Sequence, residues 1–294
     1  MNTTTRMSGP APVMARLRKF VGRIPLHIVI MVLALVWMIP TVGLLISSFR
    51  PADLISTTGW WTAFQTPFKF TLDNYKAVLT QNGMGRSFIN SLIITIPGTI
   101  IPILVAAFAA YAFAWMKFPG RNAIFIIVVG LIVVPIQMTL IPVLKLYTNL
   151  HLVSTFPGIW LAHTAYGLPL AVYLLRNFFV SLPKEIIESA GLDGASSTTI
   201  FFRIIIPLSI PAIASLAIFQ FMWVWNDLLV ALIYLQTPQL APMTLTINNL
   251  VSSFGTSWQL LTAAAFISMA LPLVVFFSLQ RYFVTGITAG ATKG

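Results

Sequence analysis

The sequence predicts an all-α integral membrane protein with six transmembrane helices and both termini in the cytoplasm. The first observation is composition: 58% of the 294 residues are apolar and only 8% are Asp, Glu, Lys or Arg, whereas a soluble domain has about 25% charged residues. The second is the spacing of the charges, and the third is the uneven distribution of Lys and Arg along the chain. So few charges could not cover soluble domains, and the high hydrophobicity excludes a disordered chain.

The charge-free runs place the six helices in order. A spanning helix needs about 20 mostly apolar residues, and six runs are longer than this: 24–49, 87–116, 122–144, 146–175, 204–226 and 228–280. The first five runs each hold one helix. The last run is interrupted by the turn-rich segment 236–242, so its first part is predicted to complete the fifth helix across Asp227, and 260–280 to form the sixth.

The distribution of basic residues predicts orientation and domain organisation. With a cytoplasmic N-terminus, 12 of the 17 Lys and Arg residues lie inside and 5 outside, in keeping with the excess of Lys and Arg in cytoplasmic loops. Residues 1–22 are predicted to be a cytoplasmic tail and residues 23–294 to form one transmembrane domain. The net charge of +11 indicates orientation and contact with anionic lipid. Nucleic-acid binding is disfavoured, because no basic groove with interleaved aromatic residues is present.

Motifs for catalysis or metal binding are absent from the sequence. There is no cysteine, which excludes disulfides, thiolate zinc sites and a cysteine nucleophile. No Gly-x-x-x-x-Gly-Lys-[Ser/Thr] phosphate loop is present to bind ATP, and His27, His151 and His163 are too scattered for a metal motif. We therefore expect no enzyme activity, no metal and no cofactor in this chain.

A polar insert at about 182–207 is predicted to form a helix–turn–helix elbow. Ser181 is a predicted N-cap, with Pro183 in the first helical turn, and Asp193-Gly194 is a turn signal. Ser196 or Ser197 is predicted to cap a second short helix. Such an elbow has apolar faces, and two interpretations stay open: a partner protein offers it a groove, or it lies on the lipid headgroups.

The elbow sequence resembles the EAA loop of permeases from ABC importers. In that family the pattern is Glu-Ala-Ala, three residues, Gly, nine residues, Ile-x-Leu-Pro, and the spacing from Glu188 to Gly194 to Pro207 is the same here; Ser189 and Ile206 depart from it. Further segments are similar to the carbohydrate-uptake branch of this family: Asn90-Ser91-Leu92, Ala110-Tyr111-Ala112-Phe113-Ala114, Trp225-Asn226-Asp227 and the final nine residues, 286–294.

The resemblance implies a six-helix subunit in a bacterial inner-membrane importer. It implies four kinds of partner: a second, related permease, a cytoplasmic ATPase dimer that binds ATP and Mg, an external sugar-binding protein and the sugar itself. The elbow would dock on the ATPase through Glu188, Ala190, Leu192, Asp193, Gly194, Ala195 and Pro207. The C-terminal tail 286–294 would reach between the ATPase subunits, with Thr288, Gly290 and Lys293 in that contact.

Asp227 is the one acidic residue predicted to lie within a transmembrane helix. Such residues are costly and usually face a bundle interior or a water-filled cavity. One interpretation places Asp227 with Trp223 and Asn226 on the substrate path, where hydroxyl groups need hydrogen-bond partners and aromatic rings stack on sugars. The other, which we favour for Asp227, is a structural hydrogen bond to a neighbouring helix.

The sequence and the resemblance together predict the permease subunit of an ATP-driven, binding-protein-dependent sugar importer. Similarities around 56–61 and 223–227 favour an α-glucoside or another di- or oligosaccharide as the substrate. A secondary carrier is one alternative, but it predicts several intramembrane acids or paired discontinuous helices. A membrane scaffold that transports nothing is the other.

Overall fold

The computed structural model describes residues 24–65, 67–81, 83–253 and 257–291, and the regular elements in these ranges are helical. The predicted cytoplasmic tail, 1–22, lies outside them. The helices are α1 (Ile24–Ser48), α2 (Ala52–Thr57), α3 (Asp73–Thr80), α4 (Met84–Trp115), α5 (Arg121–Gly130), α6 (Ile136–Asn149), α7 (Phe156–Ser181), α8 (Lys184–Leu192), α9 (Ser197–Leu208), α10 (Ile210–Trp225), α11 (Leu229–Tyr234), α12 (Met243–Ser253) and α13 (Trp258–Ala291). Short 3₁₀ turns lie at Trp60–Phe64, Leu131–Val133 and Pro238–Leu240.

Four of these helices are long and apolar enough to cross a membrane without interruption: α1, α4, α7 and the Trp258–Gln280 part of α13. Two further candidate spans are broken. Arg121–Val133 meets α6 at an angle of 103°, and α9 meets α10 at 73°. Counting each bent pair as one span gives six, so the predicted all-α fold with six spans is confirmed, although the bend of the third span was not predicted.

The centre of the bundle is the contact between α4 and α7, which pack along each other. Buried alanines line this contact and let the two backbones approach closely; Ala106, Ala110 and Ala171 are among them. Helix α4 ends at Trp115 and α7 ends at Ser181, both beside the elbow at 182–207. We call this end of the bundle the elbow end. The far end contains Ser48, Met84 and Phe156.

At the far end, a small folded cap follows α1. Arg50 is only 2% exposed and donates to the carbonyl of Gly59 over 2.9 Å and to the hydroxyl of Thr62 over 3.1 Å. The Asn74 amide donates to the carbonyls of Ser48 and Arg50, both over 2.9 Å. A buried cation whose hydrogen bonds go to oxygens of the chain holds the segment 51–64 against the end of α1.

Helix α1 lies at the edge of the bundle and is almost fully exposed. Gly43 and Ser48 are its buried residues, and Trp37 is 82% exposed. An apolar helix with so little contact to the rest of the chain is suited to lipid or to another apolar surface.

Candidate functional site

The turn of the elbow is formed by the C-terminal end of α8. Gly194 has a φ of +82°, a left-handed conformation that costs a residue with a side chain about 1–2 kcal/mol. Its N–H donates to the carbonyl of Gly191 over 3.1 Å, and the N–H of Ala195 donates to the carbonyl of Ala190 over 3.0 Å. This pair of bonds is a Schellman motif, so the predicted turn at Gly194 is confirmed and its geometry is set by backbone hydrogen bonds.

The second arm of the elbow begins at Ser196. The hydroxyl of Ser196 accepts a hydrogen bond from the N–H of Thr199 over 3.2 Å, so Ser196 is the cap, as one of the two predictions had it. Tyr111 donates its hydroxyl to the carbonyl of Ser197 over 3.1 Å. The start of α9 is therefore tied to the end of α4.

The predicted N-cap of the first arm is wrong. Ser181 is the last residue of α7, and its hydroxyl donates to the carbonyl of Phe178 over 2.7 Å. Helix α8 instead begins at Lys184, directly after Pro183, and no side chain caps it. The serine satisfies a carbonyl at the end of one helix rather than an N–H at the start of the next, and short polar side chains do both.

One face of the elbow packs on the bundle and the other is exposed. Ile187, Ala190 and Ala195 contact the buried cluster at the elbow end, whereas Leu192 is 89% exposed. Of the predicted ATPase contacts, five lie on the exposed side: Glu188, Leu192, Asp193, Gly194 and Pro207. An exposed leucine amid acidic side chains suits a protein groove, since lipid would be poorly matched to those acids.

An ion pair lies along the exposed face of α8. Lys184 Nζ is 2.8 Å from Glu188 Oε1, one helical turn away. The hydrogen bond and the negative charge of Glu188 raise the pKa of Lys184. Because both side chains are largely exposed, the pair adds little to stability, and Glu188 is available to another partner.

The elbow leads into α10 through a sharp bend. A π-helical turn at Phe201–Ile205 precedes Pro207, and π-turns in proteins often mark functional positions. The N–H of Ser209 donates to the carbonyl of Ile205 over 3.0 Å, and the chain turns by 73° into α10. The elbow is therefore joined directly to α10, with no intervening loop.

The fifth span does not continue as a helix across Asp227, so that prediction is wrong. Helix α10 ends at Trp225, and the short α11 begins only at Leu229. The Asn226 side chain donates back to the carbonyl of Met222 over 2.7 Å. Between the two helices lies a three-residue break, 226–228, in which the N–H groups of Asn226 and Asp227 donate to the carbonyls of Met222 and Val224.

Asp227 stabilises this break. Its carboxylate accepts hydrogen bonds from the N–H groups of Val230, over 3.2 Å, and Ala231, over 3.1 Å, and so caps α11 as an N-terminal acid does. Its carbonyl accepts from the hydroxyl of Thr244 over 2.6 Å. His163 of α7 lies beside the carboxylate, 3.9 Å from it. These contacts support the structural interpretation of Asp227.

The break in the third span and the break that follows α10 meet at one cleft. It has a volume of about 390 Å³ and is lined by Ile136, Gln137, Trp223, Asn226, Asp227, Leu228, Leu229 and Val230. Ile136 and Gln137 follow the break in the third span, and 226–228 is the break between α10 and α11. The three predicted substrate-path residues therefore line one cleft, which has the size of a small-ligand site.

Gln137 is a polar cleft residue that the sequence analysis missed. Its signal was Pro135, which lies in the middle of a charge-free run and indicates a break of the helix. Two side-chain amides, Gln137 and Asn226, are exposed at the cleft, and the indole of Trp223 is half-buried there. Amides and an aromatic ring can bind hydroxyl groups and the apolar face of a sugar, respectively.

The C-terminal candidates are only partly described. Thr288 and Gly290 continue the backbone of α13, which is helical to Ala291, and Lys293 lies outside the described residues. Among those residues, no group of three or more His, Asp or Glu could hold a metal ion.

A bundle of apolar spans with irregular backbone beside a polar cleft is typical of helical membrane transporters, where such backbone is tolerated if it lines a cavity. Within this class the chain belongs to the family of binding-protein-dependent transport system inner membrane components, whose model matches residues 98–289. It is thus a multi-pass inner-membrane permease component, as predicted.

Named relatives agree with this membership. The chain is 58% identical to the osmoprotective compounds uptake permease protein GgtD of Synechocystis sp., over 95% of both chains. It is 42% identical to the alpha-glucoside transport system permease protein AglG of Rhizobium meliloti, over 91% of this chain and 96% of that one.

A solved structure shares the fold. A chain of a bacterial ABC transporter involved in the import of the acidic polysaccharide alginate matches with a TM-score of 0.74 at 20% identity, over 94% of this chain and 100% of that chain. This likeness extends over nearly the whole of both chains and concerns the fold alone.

Proposed function

We propose that this chain is a permease subunit of an ATP-driven sugar importer and that the cleft between α6 and the break at 226–228 is part of its substrate path. The observation that carries the proposal is the meeting of Trp223, Gln137 and Asn226 at one cleft. The relatives are named for osmoprotective compounds and alpha-glucosides, so an α-glucoside or a related hydroxyl-rich solute is the expected cargo.

The partners follow from the family and from the elbow. The family is binding-protein-dependent, so an external sugar-binding protein delivers the cargo, and a second permease supplies the other half of the path. ATP and Mg belong to a cytoplasmic ATPase dimer, which docks on the exposed face of the elbow around Glu188 and Leu192. On this proposal the elbow end is cytoplasmic, and the chain itself is non-catalytic.

Reconstitution tests the proposal. The permease pair, the ATPase and the binding protein are placed in proteoliposomes, and entry of a radiolabelled α-glucoside is measured with and without ATP. Uptake that requires both ATP and the binding protein supports the importer. Uptake by this chain alone, driven by an ion gradient, would indicate a secondary carrier. No uptake under any condition would indicate a membrane scaffold that transports nothing.

The cleft is tested by substitution in the same assay. Gln137→Ala removes one amide, and we expect a rise in the KM for sugar of about fivefold, in line with the loss of one hydrogen bond of ~1 kcal/mol. Met138→Ala is the matched control, since Met138 is 72% exposed and lies outside the cleft lining. Equal KM values for both variants would show that the cleft is not part of the substrate path.

A further inference from the structure

Six prolines lie inside the apolar helices of the described chain: Pro40, Pro97, Pro102, Pro142, Pro169 and Pro272. At Pro97, Pro102 and Pro272, the carbonyl that the proline frees is reached by a side chain of another helix. Proline has no N–H, so the carbonyl four residues earlier loses its helical hydrogen bond. Pro97 and Pro102 in α4 free the carbonyls of Ile93 and Gly98, and Pro272 in α13 frees that of Ser268. We call these three the freed carbonyls. In an apolar layer an unsatisfied carbonyl costs several kcal/mol.

A side chain from another helix donates to each freed carbonyl. The indole N–H of Trp160, on α7, lies 2.8 Å from the Ile93 oxygen. On α10, Gln220 Nε2 lies 3.1 Å from the Gly98 oxygen, and Trp225 Nε1 lies 3.1 Å from the Ser268 oxygen. Every one of these bonds replaces a bond within a helix by a bond between helices, and so couples two spans.

Two of the three donors belong to α10. Gln220 and Trp225 are five residues apart, which places them about 140° apart around the helix at 3.6 residues per turn. They therefore reach in different directions, one to α4 and the other to α13. Both are buried, with 6% and 2% of their surface exposed, so water does not compete for these bonds.

The Gln220 amide fits because two glycines leave room for it. A Cβ added to Gly167 of α7 would lie 2.6 Å from Gln220 Nε2, closer than real Cβ atoms approach. A Cβ on Gly98 would lie 3.2 Å from a methyl of Val224, one turn along α10. The three helices cross at small residues, and the amide lies at their crossing.

We propose that Gln220 and Trp225 are positioning residues that make α4 and α13 move with α10 during transport. Helix α10 receives the displacement of the elbow through the 73° bend and ends at the break that lines the cleft. Directional bonds to carbonyls with no helical donor pass this displacement on to two neighbouring spans. The inference rests on the proposed function, because it concerns the coupling of ATP hydrolysis to import.

The first measurement is unfolding in detergent by a denaturant series, which needs no transport. Gln220→Met keeps the length and flexibility of the side chain and removes the donor. We expect its folded-to-unfolded ratio to fall about threefold, equivalent to ~0.6 kcal/mol, the mean for hydrogen bonds between membrane helices. In a Pro102→Ala background, residue 102 regains an N–H for the Gly98 carbonyl, and Gln220→Met should then have little effect.

The matched control is Pro97→Ala, which restores the donor of Ile93 instead. It should leave the cost of Gln220→Met unchanged and should abolish the cost of Trp160→Phe. Equal costs of Gln220→Met in the natural, Pro97→Ala and Pro102→Ala backgrounds would overturn the assignment of Gln220 to the carbonyl that Pro102 frees.

The second measurement separates positioning from stability. Sugar imported per ATP hydrolysed is determined in proteoliposomes for the natural chain, for Gln220→Met and for Gln220→Met with Pro102→Ala. The double variant has its carbonyl satisfied within α4 but lacks the bond between helices. We expect its stability to return while its import per ATP stays at least about threefold below the natural value, the factor by which loss of the bond shifts the equilibrium.

The outcomes are distinct. Recovery of both stability and import per ATP in the double variant would show a purely structural bond and overturn the inference, as would natural import per ATP in Gln220→Met. A natural chain that imports no sugar refutes the proposed function instead, and the denaturant series still decides whether Gln220 serves the freed carbonyl.

Discussion

The imidazole Nε2 of His163 lies 3.9 Å from the carboxylate Oδ2 of Asp227, and the two side chains are 1% and 9% exposed. The separation is longer than a hydrogen bond, so His163 lies beside the carboxylate without bonding to it directly. The edge of the same ring meets the indole of Trp223, with 5.4 Å between centroids. His163 thereby connects α7 both to the break at 226–228 and to an aromatic residue of the cleft.

Asp227→Ala should destabilise the protein by about 1–2 kcal/mol, because two N–H groups of α11 lose their acceptor. Asp227→Asn keeps one side-chain oxygen and should lose roughly half as much. Denaturant unfolding in detergent gives both values. If Asp227→Asn also keeps normal uptake, no role of the carboxylate charge in transport remains; abolished uptake with normal folding would contradict the structural interpretation.

Gly194→Ala should weaken binding of the ATPase, since alanine at a φ of +82° costs about 1–2 kcal/mol and would open the Schellman turn. Gly194→Asn should be milder, because asparagine accepts this conformation more readily. The measurement is co-purification of the ATPase with each variant.

The control for Gly194 is Gly191→Ala, three residues earlier and within α8, where an added Cβ meets nothing within 4 Å. It should bind the ATPase as the natural chain does. Full retention of the ATPase by Gly194→Ala would count against the elbow as the docking element.

Arg50→Lys should loosen the far-end cap. The guanidinium has donors on two nitrogens for Gly59 and Thr62, whereas lysine offers one ammonium and cannot reproduce the planar fork. Limited proteolysis within 51–64 should become faster. Arg86→Lys, an exposed arginine in α4, should leave the cleavage rate unchanged, and equal rates for both variants would argue that Arg50 does not hold the cap.

Gly167→Ala should displace the amide of Gln220 from its place between α4 and α7, because the new methyl would lie 2.6 Å from Nε2. Overpacking of this kind typically costs about 1–3 kcal/mol. Thermal unfolding in detergent measures the loss, and Gly130→Ala, with nothing within 4 Å of its added Cβ, should be close to neutral. A neutral Gly167→Ala would show that the crossing has room to relax.

Much of the fold was predictable from the charge-free runs, because a span must exclude charge along its whole length. The break in the third span was not predicted, since an uncharged break such as Val134-Pro135 leaves the run intact. Asp227 did interrupt a run, but the sequence could not show whether an acid there ends a helix or lies inside one.

The elbow was predictable for a local reason: its glycine turn and its serine cap involve residues within a few positions of one another. The cleft was not, because Gln137 and Asn226 are distant in sequence and only the packing of α6 against α11 brings them together. The side chains that donate to the freed carbonyls were not predicted, for the same reason, although each proline is apparent in the sequence.

The two breaks also set where water reaches the backbone. In the unbroken spans α4 and α7 nearly every amide hydrogen is held within its own helix, and exchange with deuterium must wait for that helix to open. At 226–228 the chain has left the helix beside an open cleft. Deuterium should therefore enter the bundle at 226–228 before it reaches the interiors of α4 and α7.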